Sequence, residues 1–199
     1  MSKIHQSLHY EAINSALADC GYNTYSQFGE DGLIDKALTL AGETNRWCFE
    51  VGAADGVFYS NTLRLRERGW SAVLVESSDK DASLLMRHAS DCVHVVHEQA
   101  DDMDAILARC GAPVGLDLGV IDIDGQDYWL WHDMQQYRPR VMLVEFHWAD
   151  GDDFIPDRGA GYRKQAGESA MIRLGSDKGY TPVAKTHVNL LFIRDDCMW

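Results

Sequence analysis

The chain is short of cations. Its 199 residues carry 18 Lys and Arg against 31 Asp and Glu, for a formal net charge of −13. Nucleic-acid and anionic-membrane surfaces need clustered Lys and Arg, so a broad surface of either kind is excluded. Proline is scarce, with four residues (Pro113, Pro139, Pro156, Pro182), each at a boundary between periodic segments. No repeat or low-complexity linker is visible, and 199 residues suit one domain with a full core. No apolar run reaches the length of a membrane span, and the N-terminal stretch lacks a signal pattern. The five cysteines are odd in number, widely spaced and without a CxxC pair, so neither a zinc knuckle nor a disulfide framework is signalled. Reduced thiols and a cytoplasmic location are the expectation.

What is present is alternation. A helix is expected near residues 7–18 and another in "SQFGEDGLIDKALTLAG", closed by Gly42. The apolar runs "WCFEVG", "SAVLVES", "VHVVHE", "GVIDID" and "RVMLVEF" alternate with helical patterns. The chain closes with "YTPVAKT" and "NLLFIR", a hairpin pattern. This order predicts an α/β fold of Rossmann-like type, a mostly parallel sheet with helices on both faces and a C-terminal antiparallel hairpin. Residues 1–199 read as one domain, with 1–24 a helical extension and 148–168 a Gly-rich, charged loop suited to a substrate lid.

The loop after the first strand reads Gly52-Ala53-Ala54-Asp55-Gly56. It lacks the GxGxxG spacing of dinucleotide sites and the GxxxxGK[ST] of phosphate loops, which argues against a nicotinamide-linked oxidoreductase. No lysine is there to meet a phosphate. Instead Glu50 and Asp55 make the loop acidic, and Glu76 ends the second strand, where an acid accepts hydrogen bonds from ribose hydroxyls. This suits S-adenosylmethionine (SAM), a cofactor with an ammonium, a sulfonium and a ribose. Small residues at 52–54 let the backbone approach it closely.

A second constellation follows the fourth strand. Asp122 and Asp124 in "GVIDIDGQDYWLW" are two apart, so on a strand they share one side, at the edge where ligands bind in open α/β sheets. Two like charges there need a positive partner, either an amine or a divalent cation. Glu145 and His147 end the fifth strand in the same spacing. Asp122, Asp124 and Glu145 are therefore candidate ligands for Mg²⁺. Asp124 or His147 is the candidate general base. Asp127 is expected to cap the next helix, and Trp129 and Trp131 to pack against the core.

These segments resemble the FkbM-like branch of class I SAM-dependent methyltransferases. The resemblance rests on "YSQFGEDGLI", "FEVGAADGVFYSNT", "GWSAVLVES", "GVIDIDGQDYWLW" and "PRVMLVEFH". It implies a seven-stranded sheet with a reversed last hairpin. It implies that Glu50, Gly52, Ala53, Asp55 and Gly56 line the methionine part of SAM and that Glu76, with Ser77 beside it, holds the ribose. The turn containing Asp101 would lie near the adenine and Asp122 would meet the cofactor. Gln27, Glu30 and Asp31 would form a wall or lid, and Asn61 would orient the glycine loop or cap the helix after it. The implied reaction is O-methylation of a sugar or other small hydroxylated acceptor, with a glycan included. A non-catalytic module of the same fold that binds SAM or a nucleotide is the alternative, and homo-oligomers are left open. Arg158, Arg163 and Lys164 offer a local basic group for an acidic acceptor.

Overall fold

A computed structural model describes residues 17–161 and 164–198. The helix expected near residues 7–18 falls almost wholly outside them. Seven strands form one sheet in the order β3-β2-β1-β4-β5-β7-β6. They are β1 (Trp47–Val51), β2 (Ser71–Glu76), β3 (Val93–His97), β4 (Leu118–Ile121), β5 (Val141–Glu145), β6 (Tyr180–Lys185) and β7 (Asn189–Arg194). Strands β1 to β5 run parallel, and β7 inserts antiparallel between β5 and β6. The expected hairpin is present, with a register shift between Pro182 and Ala184 on the outermost strand.

Among the described residues six α-helices flank the sheet: α1 (Glu30–Ala41), α2 (Leu63–Glu67), α3 (Asp79–Leu85), α4 (Met103–Arg109), α5 (Asp127–Asp133) and α6 (Glu168–Asp177). Strand side chains alternate between the two faces. Phe49, Val51, Val73, Val75, Ile121, Met142 and Val144 pack with α4, α5 and α6. Cys48, Ala72, Leu74, Val120, Leu143 and Leu191 pack with α1, Leu65 of α2 and Leu85 of α3. Burial on both faces explains why the strands read as apolar runs rather than alternating ones.

Helix ends follow local chemistry. Ser78 and Asp102 cap α3 and α4 by accepting from Asp81 N and Ala105 N. Gly42 ends α1 at φ 80°, its N–H returning to Leu38 O. Helix α2 is only Leu63–Glu67, because residues 60–62 are held in a loop by Glu50. No helix among the described residues is long and apolar enough to cross a membrane.

Candidate cofactor site at the carboxyl edge of the sheet

A cavity of about 640 Å³ opens where β1 and β4 lie side by side, at the carboxyl ends of the parallel strands. Chain connections diverge from this point, the place where open α/β sheets bind ligands. Its walls come from the turns after β1 to β4, including Gly52, Glu76, Ser77, Asp122 and Asp124, and from Ala160 and Gly161. Five carboxylates line it (Glu76, Asp81, Glu98, Asp122 and Asp124), and no Lys or Arg does so among the described residues. Its size is that of a small-molecule site.

Gly52 is required by geometry. Its φ is 80°, and a Cβ there would lie 1.7 Å from the Asp122 carbonyl oxygen. The N–H groups of Gly52 and Ala53 both donate to Val75 O, so the loop folds back over the end of β2. Glu76 fixes it from the other side: its carboxylate accepts from Ala54 N at 2.9 Å and from Ser78 N at 2.7 Å. Asp55 accepts from Val57 N and Phe58 N, which hold its carboxyl below the usual range. Asp55, Ala53 and Gly56 shape the turn without lining the cavity.

Glu50 departs from expectation. It follows Cys48 onto the α1–α3 face, where it is buried and accepts from Ser60 Oγ, Asn61 N and Thr62 Oγ1 at 2.6–2.8 Å. Its carboxylate therefore orders residues 60–62 rather than lining the cavity. Asn61 is buried there, with its side-chain oxygen unpartnered among the described residues. The "SQFGEDG" segment is also a tied loop. Asp31 accepts from the N–H groups of Thr24, Tyr25 and Ser26, and Glu30 accepts from Phe28 N and Asn189 Nδ2. Gln27 is exposed beside it, and neither Gln27 nor Glu30 lines the cavity. Asp101 is exposed, while its neighbours Gln99 and Ala100 line the cavity.

The carboxylates after β4 and β5 are arranged differently from the sequence reading. Strand β4 stops at Ile121, and Asp124 has φ 57°, so Asp122 and Asp124 do not alternate as on a strand. The cause is Asp127. Buried at the start of α5, it accepts from Ile123 N and Gly125 N and turns the chain. It thus caps the preceding loop rather than the helix. Its own burial pushes its pKa up to about 6.

Glu145 is buried against Asp122 and accepts from Gln165 Nε2. Desolvation, then the neighbouring carboxylates, raise the pKa of both Asp122 and Glu145, Glu145 the further. The pair holds a proton at neutral pH. Among the described residues no three His, Cys, Asp or Glu side chains are grouped to hold a metal ion, so the expected Asp122–Asp124–Glu145 metal set is not assembled. Glu145 is engaged by Gln165 and Asp122, while Asp124 sits exposed on the cavity wall.

His147 lies outside the cavity lining. Its ring stacks at 5.3 Å on exposed Trp148, and its Nδ1 accepts from Ala149 N at 3.1 Å. With Nδ1 as acceptor, a neutral ring carries its proton on Nε2 and has no free basic nitrogen. The basic group expected in 148–168 is not free either. Arg158 pairs with Asp133 and Lys164 with Asp150, and Arg163 lies outside the described residues. Trp131 is core, as expected, but Trp129 donates its indole N–H to Pro156 O at 2.7 Å. That contact, and Gln126's to the same segment, had no signal in the sequence.

No protein-family model matches the chain, and no curated protein matches it by sequence. Solved structures do match in fold. An O-methyltransferase from Bacillus cereus in complex with SAH superposes at a TM-score of 0.52 with 17% identity, over 97% of this chain and 92% of that one. A TehB-like SAM-dependent methyltransferase from Corynebacterium glutamicum gives 0.52 with 10% identity, over 97% and 100%. Geranyl diphosphate C-methyltransferase from Streptomyces coelicolor A3(2), solved with Mg²⁺, geranyl diphosphate and S-adenosyl-L-homocysteine, gives 0.54 with 10% identity, over 98% and 100%. The chain therefore shares the Rossmann-like fold of these SAM-dependent methyltransferases.

Proposed function

We propose that this chain is a SAM-dependent methyltransferase acting on an oxygen of a sugar or other small hydroxylated acceptor, in keeping with its FkbM-like resemblance. The observation that carries the reading is the cavity with five carboxylates and, among the described residues, no Lys or Arg. A phosphate-rich nucleotide would be repelled there, whereas an ammonium and a sulfonium are attracted. Glu76 keeps one carboxylate at the rim, oriented by two backbone N–H groups, to accept from ribose hydroxyls. Asp122 offers charge to the ammonium.

The bound cofactor supplies an electrophilic methyl on sulfur. The chain's part is to align the acceptor oxygen in line with it and to remove a proton. Asp124, exposed on the cavity wall, is the better base, since His147 spends Nδ1 on Ala149 N. No step is assigned to a metal. Calorimetry with SAM and S-adenosylhomocysteine (SAH), with Glu76→Ala in parallel, tests the reading. The expectation is binding to the wild type and at least tenfold weaker binding to the variant. Absence of binding at millimolar ligand would refute the proposal. Binding without SAH release on any hydroxylated acceptor would favour the binding-module alternative.

A further inference from the structure

Residues 156–161 are held by one face of α5 and its cap. Gln126, Trp129 and Asp133 stand at i, i+3 and i+7, which puts them on one side of a helix. Gln126 Nε2 donates to Asp157 O at 3.2 Å and to Ala160 O at 3.3 Å, and its Oε1 accepts from Gly159 N at 2.9 Å. Trp129 Nε1 donates to Pro156 O at 2.7 Å. Arg158 makes a two-pronged ion pair with Asp133 at 2.6 and 2.9 Å, and its guanidinium lies 4.0 Å from the Trp129 ring centroid. Bidentate pairing and stacking together fix a guanidinium far better than a single surface ion pair does.

The segment so held supplies Ala160 and Gly161 to the cavity wall. It comes close to the β4 turn: a Cβ built on Gly125 would lie 3.7 Å from Gly161 O. Gln126 both lines the cavity and grips the segment, while Trp129 and Asp133 grip it without lining the cavity. We infer that this face of α5 is a clasp that keeps 156–161 as a prefolded wall of the cofactor site, and that the clasp sets how long the cofactor stays bound. Trp129 and Asp133 are then positioning residues, acting on the ligand only through the segment they hold. The inference rests on the SAM reading above.

The test is the double variant Trp129→Phe/Asp133→Ala, which removes the indole donor and the ion pair but keeps an aromatic ring. Asp153→Ala, which breaks the Arg173–Asp153 pair elsewhere in the same loop, is the control. SAH dissociation is followed by surface plasmon resonance, and trypsin cleavage after Arg158 reports release of the segment without any ligand. The double variant is expected to release SAH about tenfold faster and to be cut faster after Arg158, while the control matches the wild type in both. The single Trp129→Phe variant, milder for folding, should shift both readouts the same way by less. Unchanged SAH dissociation in a variant that trypsin cuts faster would overturn the inference, as would unchanged cleavage. If the wild type binds SAH and only the variant result fails, the clasp alone is wrong. If the wild type binds no SAH, the proposed function falls and the clasp inference with it.

Discussion

Replacing Glu145 with Gln should stabilise the protein at neutral and alkaline pH. Burial and the neighbouring Asp122 push the Glu145 carboxyl up from 4.5 to about 11. Between those values the native state holds a proton that the unfolded chain releases, so stability falls as pH rises through that window. At pH 7.5 the difference spans about 3 units, which at 1.36 kcal/mol per unit is about 4 kcal/mol of stability forgone. Glutamine needs no proton. It can donate to Asp122 and accept from Gln165, as the protonated acid does. Its second amide hydrogen gains no evident partner, which offsets roughly 1–3 kcal/mol. The net expectation is a gain of about 2 kcal/mol at pH 7.5, or roughly 5 °C in Tm for a domain of this size. The gain should shrink towards pH 5, where the unfolded carboxyl also begins to bind its proton. Differential scanning calorimetry from pH 5 to 8.5 measures both the offset and the slope. A variant whose Tm matches or trails the wild type at pH 8, with the same pH slope, would refute the account of Glu145 as a buried neutral acid.

Three further outcomes are expected. Gly52→Ala puts a methyl into the Asp122 carbonyl and strains a positive φ; SAH binding should drop by at least a hundredfold in calorimetry, with Tm lowered as well. Asp117→Ala removes a fully buried carboxylate that accepts from Thr44, Asn45 and Arg46 at the opposite edge of the sheet. Urea unfolding should show a loss of about 3 kcal/mol, with the SAH affinity of the folded fraction unchanged. Because Asp122, Asp124 and Glu145 form no metal set, methyl transfer should persist after exhaustive EDTA treatment; loss of activity restored by Mg²⁺ would contradict that geometry.

The sheet was legible because it is buried on both faces, so each strand appeared as an apolar run between helical periods. Gly52 and Glu76 were legible because their type and their spacing along a βαβ unit carry the meaning. Glu50 was misread for a reason of parity: strand alternation turns it to the α1 face with Cys48. The Asp122–Asp124 alternation failed because Asp127, read as a helix cap, ends β4 instead. The Asp122–Glu145 pair joins residues 23 positions apart in sequence, and the α5 contacts with 156–161 combine backbone groups with the Arg158–Asp133 pair, 25 positions apart. Neither leaves a local pattern to read.

Strand β6 has a consequence for self-association. It is an outer strand of the sheet, and outer strands offer unpaired backbone groups to any passing copy. Here proline at 182 removes one N–H from the row, and the shift between Pro182 and Ala184 breaks the repeat that a second strand would have to match. Both features work against growth of the sheet across this edge, into a continuous dimer or a fibril.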